Sequence, residues 1–472
     1  MLLLVIAAYF AVLLLISRLT AGRGDNDAFY RGSRVSPWWA VCFGMLGASV
    51  SGVSFVSVPG MVAANGMTYL QMCMGFVLGY ALVAFVLLPV YYRLGLITIY
   101  TYLRQRFGMV SYRTGAAAFF FSKLAGAAIR LFLACMILQR LVFDAMGVPF
   151  VMTVSVVVLL IWIYTRQSGI RTIVWSDCLQ TTFMLAALGL IVWQVCTKLH
   201  PAEGSVLDAL VSNPMSRVFD FDDLSRPSNF FKQFVSGIFT VVVMTGLDQD
   251  MMQKNLTCRT LAESQKNMCV NGLLYLPMNL LLLSLGVLLY MFCEQQGLTV
   301  PASGDELLPM LCGGGHLGQT AMILFAVGIT AAAFSSADSA LASLTTCFCV
   351  DMMLRPEDER LRRLAHPAIA AVMVLFILLV SMAGQSSIIS VVYMVCGYTY
   401  GPLLGLFAFG LTTRRMPRET FVPFVCLLSP ILCYALSVTT ERMWDYHIGF
   451  EMLLINGAFT FLGLLLCSRK GR

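Results

Sequence analysis

The chain has 472 residues and a formal net charge of +7, and only 12% of its residues are charged while 59% are apolar. Because water-soluble domains carry roughly twice that charged fraction, this composition excludes an ordinary soluble protein. Apolar stretches long enough to cross a bilayer, about 20 residues each, recur from end to end, and no segment is predicted to form a separate soluble domain.

The pattern of apolar stretches predicts an all-α polytopic membrane protein with about thirteen transmembrane helices. We interpret the first stretch as a retained helix, because positive charge follows it and no small-residue cleavage site is present. The predicted spans are residues 1–17, 36–59, 67–92, 112–142, 150–165, 173–197, 230–251, 266–293, 317–347, 366–385, 387–411, 419–438 and 446–467.

Positive charge alternates between loops along the chain. Loops predicted to be inside are rich in it, as in Arg18, Arg23, Arg31 and Arg34 after the first span and Arg469, Lys470 and Arg472 after the last. Loops predicted to be outside hold far less, namely Lys198, Arg217, Arg226, Lys232 and Arg442. The positive-inside rule therefore predicts an outside N-terminus and a cytoplasmic C-terminus. We expect a bacterial inner membrane, because no targeting segment is found.

Several other functions lack their sequence signatures. The 15 cysteines lie mostly in apolar spans and show no zinc-ligand spacing, so we expect no disulfide framework and no metal cofactor. The chain has no P-loop, which excludes ATP as the energy source, and no HExxH or nucleophile–base motif that would indicate a membrane enzyme. The acidic run 219–223 lies in an outside loop and is predicted to be a solvated turn. No signalling domain that would indicate a sensor is found.

The second span is unusually rich in small and polar residues. Its glycines and serines are Gly44, Gly47, Ser49, Ser51, Gly52, Ser54, Ser57 and Gly60, and Pro59 follows Ser57 closely. Such residues allow two helices to pack tightly, which is one interpretation. Non-helical backbone at membrane depth is tolerated where it is buried or lines a cavity. The density of glycine and serine favours this second interpretation, a broken helix at a binding site.

The ninth span carries Ser335, Ser336, Asp338 and Ser339 at mid-membrane depth, and residues 335, 338 and 339 share one helical face. An aspartate in this position is costly unless it is paired or binds a cation. Hydroxyl, carbonyl and carboxylate oxygens suit sodium, which is a hard cation. The alternative is a serine-rich helix contact in which hydrogen bonds satisfy Asp338.

Two further charged residues within predicted spans are candidate functional residues. Asp177, near the start of the sixth span, either caps its helix or belongs to an ion pathway. Arg130, in the fourth span, lies too far from both membrane surfaces to reach water easily. It either pairs with a protein carboxylate or points into a cavity to bind an anionic substrate through two parallel hydrogen bonds.

Five segments resemble, in order, motifs of the sodium:solute symporter family. They are Phe29–Trp39, the interrupted stretch 44–60, Trp175–Gln180, Thr245–Asn255 with Ala262–Lys266 after it, and Ala331–Ser336. The resemblance implies a five-plus-five inverted repeat with alternating access. The implied organisation is a first helix and entry loop (1–35), the first repeat (36–197), an outside loop (198–229), the second repeat (230–411) and two C-terminal helices with a short tail (412–472).

The same resemblance implies two cation sites. The principal sodium site would use the backbone carbonyls of Gly47, Val50 and Ala332 and the hydroxyls of Ser335 and Ser336. A second cation site, found in relatives that carry sialic acid, would use Asp177, Ser335, Asp338 and Ser339. Asp338 replaces the serine expected there. Two alternatives therefore stay open for the cation at this position, a sodium ion and a proton.

The resemblance also implies a substrate. Ser49, Ser51, Ser54 and Arg130 are similar to residues that bind the substrate carboxylate in sialic acid carriers, and Ser54 stands where sugar carriers have glutamine. We therefore expect a sodium symporter that imports a carboxylate-bearing solute such as sialic acid, with no cofactor and with a monomer as a sufficient unit. The alternatives are an amino acid, a sugar or another monocarboxylate as substrate, or sodium-independent uniport.

Overall fold

The architecture comes from a computed structural model that describes residues 2–20, 26–166, 169–201, 204–224, 226–382 and 388–469. Some predicted features lie outside these residues. They are the span boundaries at 385 and 387 and the charged residues Arg23, Lys470 and Arg472.

The described chain is helical almost throughout. Its α-helices are α1 (Leu2–Thr20), α2 (Asn26–Arg31), α3 (Trp38–Ser49), α4 (Gly52–Gly60), α5 (Val62–Asn65), α6 (Tyr69–Leu82), α7 (Leu88–Leu94), α8 (Thr101–Arg106), α9 (Met109–Leu138), α10 (Phe150–Thr165), α11 (Ile170–Lys198), α12 (Val206–Ser212), α13 (Phe230–Val241), α14 (Gln249–Asn255), α15 (Leu261–Gln296), α16 (Leu307–Gly313), α17 (Gln319–Thr346), α18 (Glu359–Ser381), α19 (Ile388–Thr412), α20 (Val422–Trp444) and α21 (Met452–Leu466). Two short strands, β1 (Met416–Pro417) and β2 (Ser468–Arg469), pair antiparallel.

Eight continuous helical segments of the described chain are long and apolar enough to cross a membrane. They are Tyr69–Leu94, Met109–Met146, Ile170–Lys198, Leu261–Gln296, Gln319–Met352, Glu359–Ser381, Val391–Thr412 and Glu419–Trp444. Two further helix pairs, α3 with α4 and α13 with α14, are apolar but bent, and α1, α10 and α21 are shorter apolar helices. The predicted class, an all-α protein with many apolar spans, is confirmed.

Helix α17 lies at the centre of the bundle. Every residue from Phe325 to Thr346 is buried, so that all faces of this stretch pack against other helices. Its neighbours include α4, α9 and α11. By contrast, α18 and α20 expose large apolar side chains such as Leu379 and Leu427, as helices that face lipid do. The polar residues of α17 are therefore enclosed by protein.

The seventh predicted span, 230–251, is not straight. It bends by 69° between Gly246 and Gln249. A π-helical turn, Val242–Gly246, precedes the bend, and the Asp248 carboxylate then caps the new helix by accepting a hydrogen bond of 2.9 Å from the Asp250 amide. The short helix α14 consequently starts inside the protein, and all seven of its residues are buried.

Candidate functional site

The second span is broken, as its sequence predicts. Helix α3 ends at Ser49, α4 begins at Gly52, and the two axes differ by 52°. Val50 and Ser51 between them have non-helical backbone angles. A Cβ atom on Gly52 would lie 3.2 Å from a side-chain carbon of Ile329 and 3.5 Å from the backbone nitrogen of Ala333. Glycine at this position therefore lets the break approach the backbone of α17.

Helix α3 also packs closely on α11. A Cβ atom on Gly47 would lie 1.9 Å from Oγ1 of Thr181, a distance that no real side chain tolerates. The small size of Gly47 therefore permits α3 to contact α11 at Thr181, which lies one helical turn from Asp177. The structure thus brings the two elements of the predicted sodium site, the break in the second span and α17, together with α11, which carries Asp177 of the predicted second site.

The hydroxyl groups on α17 are buried at this junction. Ser335 donates a hydrogen bond of 2.6 Å to Oδ1 of Asp177. Ser336 lies 3.4 Å from the carbonyl oxygen of Ala332, and Ser339 donates to the carbonyl oxygen of Ser335 at 2.8 Å. The hydroxyls of Ser335 and Ser336, two predicted sodium ligands, are therefore buried next to other oxygen atoms.

Asp177 does not cap its helix. Helix α11 begins at Ile170, two turns earlier, so the capping alternative is wrong. Besides the bond from Ser335, the Asp177 carboxylate forms an ion pair with Lys254, whose Nζ lies 2.8 Å from Oδ2. The side chains of Asp177 and Lys254 are 0% and 1% exposed. Both groups are therefore charges enclosed by protein, a costly arrangement that persists only when they are paired.

Asp338, the other acid of the predicted second site, lies close by. Its Oδ2 accepts a hydrogen bond of 2.8 Å from the hydroxyl of Tyr164, whereas its Oδ1 has no hydrogen-bond partner among the described residues. The Asp338 side chain is buried and lies near enough to act electrostatically on Lys254. The residues predicted to form the second cation site therefore lie near one another, and an ammonium group lies beside Asp177.

A second buried lysine, Lys123, extends this network. Its Nζ lies 2.6 Å from Asp250 and 3.1 Å from Asp248, and the hydroxyl of Tyr400 donates to Asp248 at 2.8 Å. We define the buried charge network as Lys123, Asp177, Asp248, Asp250, Lys254 and Asp338. Neither of its two lysines is among the functional residues predicted from the sequence. Lys254 lies just beyond the predicted seventh span, 230–251, and its one signal is its place in the Thr245–Asn255 motif.

One cavity contains all four residues predicted to bind substrate. Ser49, Ser51, Ser54 and Arg130 line it together with Ser336 of the predicted sodium site. The cavity is partly open to solvent, and Phe76, Tyr80, Tyr275 and Tyr393 contribute aromatic walls. It therefore offers a bound solute both hydroxyl groups and apolar faces.

Of the two alternatives for Arg130, the structure favours a position in the cavity over a carboxylate partner. It lines the cavity, is partly exposed, and forms no ion pair with any described carboxylate. Arg140, ten residues nearer the end of the helical segment, differs in this respect, because its guanidinium pairs with Glu306 at 3.1 Å and is half exposed. Arg130 is thus a cation available to an anion inside the cavity.

The acidic run 219–223 has a structural role. Asp220 is buried rather than solvated, which corrects the prediction for this residue. It accepts hydrogen bonds from Ser228 at 2.5 Å and Arg217 at 3.1 Å, and its amide donates to Gln71. The bond from Ser228, together with Arg217, holds the pKa of Asp220 below its usual range. These contacts attach the loop 198–229, which is predicted to lie outside, to α6.

Known proteins resemble this chain over nearly its whole length. The sodium/sialic acid symporter SiaT of Proteus mirabilis (strain HI4320) is 23% identical and aligns over 97% of this chain and 94% of its own. The sodium/sialic acid symporter NanT of Aliivibrio fischeri (strain ATCC 700601 / ES114) is also 23% identical, over 93% of this chain and 88% of its own.

The fold is likewise known. A solved substrate-bound outward-open structure of a Na⁺-coupled sialic acid symporter matches it with a TM-score of 0.83, covering 99% of both chains at 19% identity. At that identity the likeness establishes the fold alone. The sequence model of the sodium:solute symporter family matches residues 29–420. The chain therefore belongs to the sodium:solute symporter family, and its function is transport rather than enzymatic catalysis.

Proposed function

We propose that this chain is a sodium-coupled symporter that imports sialic acid or a closely similar carboxylate-bearing solute. The observation that carries the proposal is Arg130, a guanidinium with no carboxylate partner among the described residues, in a cavity that also contains Ser49, Ser51 and Ser54. The sialic acid substrates of the two symporters compared above support the same solute class.

The sodium ion is proposed to bind where the broken second span meets α17. Its ligands are the carbonyl oxygens of Gly47, Val50 and Ala332 and the hydroxyls of Ser335 and Ser336. Ser336 borders both this position and the substrate cavity, which supports direct coupling. Sodium bound beside the cavity raises the affinity for the solute, and by thermodynamic linkage the solute raises the affinity for sodium by the same factor.

The substrate carboxylate is proposed to pair with Arg130, whose planar guanidinium donates two parallel hydrogen bonds, while the three serines bind its oxygens or neighbouring hydroxyls. The cavity's aromatic walls are suited to the apolar faces of a sugar ring. A simpler monocarboxylate would use the same arginine, and a relative, the sodium-coupled monocarboxylate transporter 1 of Xenopus laevis, makes this the second candidate. The number of hydroxyls that line the cavity favours the polyhydroxylated acid.

The transport cycle is proposed to use thirteen spans and two inverted repeats, residues 36–197 and 230–411. The eight long helical segments, the two bent pairs and the three shorter apolar helices all fall on predicted spans, which supports this number. The bends also occur in the first span of each proposed repeat, as two related halves require. Segments 1–35 and 412–472 flank this core, and 198–229 joins its halves outside. The N-terminus is then outside and the C-terminus cytoplasmic in a bacterial inner membrane.

The test is calorimetric titration of the detergent-solubilised protein with sialic acid, in sodium and in choline. We expect binding that requires sodium and that Arg130→Ala weakens roughly 10- to 100-fold, the effect of losing about 1.5–3 kcal/mol of charge-assisted hydrogen bonding. Arg140→Ala is the matched control, since it removes a guanidinium from the same helical segment but outside this cavity. Equal affinities for wild type and Arg130→Ala would contradict the proposed substrate site.

A further inference from the structure

The second cation site predicted from the sequence already contains a positive charge. Nζ of Lys254 lies 2.8 Å from Oδ2 of Asp177, the acid of that site, and the ammonium is buried. Asp250 and Asp338 act on the same ammonium electrostatically. Lys254 therefore lies among the carboxylates that would otherwise attract a metal cation.

We propose that the Lys254 ammonium is a built-in cation that takes the place of a second sodium ion, so that this transporter binds one sodium ion per cycle. The inference rests on the proposed function, since it assumes that the first sodium binds beside the cavity. It makes Lys254 a determinant of the coupling ratio and Asp177 its counter-ion.

The two oxygens of the Asp177 carboxylate are both engaged. Oδ1 accepts the hydrogen bond from Ser335, and Oδ2 faces Lys254. A sodium ion bound to this carboxylate would have to displace one of these groups or lie beside the ammonium. In a buried site the repulsion between two such close positive charges is poorly screened. The ammonium and a second sodium ion therefore exclude each other.

The backbone that carries Lys254 is held firmly in place. Its helix, α14, is capped by Asp248, and Lys123 ties Asp248 and Asp250 to α9. On the other side Gln253 donates hydrogen bonds to the carbonyl oxygen of Tyr30 at 2.9 Å and to Thr346 of α17 at 3.1 Å. These contacts direct the Lys254 side chain at Asp177 rather than at the cytoplasm.

The balance of charges also favours a permanent cation. The buried charge network holds four carboxylates and two ammonium groups, and Lys123 serves Asp248 and Asp250. Without Lys254, Asp177 and Asp338 would share one buried region with no positive charge of their own. Enclosed carboxylates in this state require a cation from solution. Removing the ammonium should therefore create a sodium site.

The test counts sodium ions bound by the detergent-solubilised full chain, using ²²Na⁺ at equilibrium without any substrate. Wild type is expected to bind one ion per protein. Lys254→Met is expected to bind two, with a Hill coefficient that rises from near one towards two. Lys254→Arg, which keeps the charge, and Lys266→Met, which removes an exposed lysine from the neighbouring helix α15, are the controls and should bind one.

A double variant tests the identity of the new site. Lys254→Met with Asp177→Asn should return to one ion, because the carboxylate that holds the second sodium is gone. The number of sodium ions bound by wild type is measured without any variant. The proposal therefore stays testable even if the Lys254→Met protein misfolds. Two ions in wild type, or one in a folded Lys254→Met protein, would overturn the role of Lys254 alone. No bound sodium in wild type would overturn the proposed sodium coupling as well.

Discussion

The Ser335 hydroxyl donates a hydrogen bond of 2.6 Å to Oδ1 of Asp177, so that one side chain belongs to both predicted cation sites. This bond joins α17 to α11 at the place where the second span is broken. A change at Ser335 is therefore expected to affect the sodium ligands and the buried charge network together.

Replacing Ser335 or Ser336 with alanine should weaken sodium binding. Each change removes one oxygen ligand, and we expect the sodium concentration for half-maximal uptake to rise roughly tenfold, equivalent to about 1.4 kcal/mol. The measurement is uptake into proteoliposomes over a range of sodium concentrations. Ser343→Ala is the matched control, because Ser343 is a buried serine of the same helix whose hydroxyl donates to Ala340. Normal sodium activation in both variants would eliminate this sodium site.

Adding a methyl group at Gly47 should separate α3 from α11. The new Cβ would meet Thr181 within 1.9 Å, and overpacking of this kind costs about 1–3 kcal/mol. Gly47→Ala should therefore lower the unfolding temperature in detergent and weaken sodium binding. The double variant Gly47→Ala with Thr181→Gly should recover part of both losses, because it removes the side chain that the methyl group meets.

Gly189→Ala is the control for this experiment. Gly189 lies on α11, the helix that Gly47 of α3 contacts, but a Cβ atom there has no neighbour within 4 Å. Since alanine is the better helix former, this change should leave stability unchanged or raise it by up to about 1 kcal/mol. Equal unfolding temperatures for the Gly47→Ala and Gly189→Ala proteins would refute the close helix contact.

Removing the Lys123 ammonium should destabilise the protein more than breaking an exposed ion pair. Lys123→Met leaves Asp248 and Asp250 buried without their cation, and a broken buried pair costs about 3–5 kcal/mol. Arg140→Ala, which breaks the half-exposed pair with Glu306, should cost about 0–1 kcal/mol. Thermal unfolding in detergent compares the two. Similar losses of stability in the two variants would mean that the ion pairs of Lys123 contribute little to stability.

The sequence alone predicted the features that arise from local composition. The run of glycine and serine around Gly47 and Gly52 indicated the break in the second span, and the isolated charge of Arg130 indicated either a carboxylate partner or a cavity. Both signals are readable because a broken helix and an unpaired arginine are unfavourable in lipid. The apolar stretches likewise predicted the helical membrane class.

The buried charge network could not be predicted in the same way. Lys123 and Asp248 are 125 residues apart in the sequence and meet only after the helices pack. Lys254 follows an apolar span, where a lysine usually marks a loop, and the bend after Gly246 that carries it inside has no proline to signal it. Which charges meet is decided by tertiary packing, and the site residues carried over from family resemblance remain predictions.

The central claim is that a sodium gradient drives the uptake of sialic acid through the cavity that contains Arg130. The most direct measurement is uptake of labelled sialic acid into proteoliposomes, with and without an inward sodium gradient, for wild type, Arg130→Ala and Arg140→Ala. We predict concentrative uptake that requires the gradient, persists in Arg140→Ala and is lost in Arg130→Ala. Uptake that is equal without sodium, or that Arg130→Ala leaves unchanged, would contradict the account.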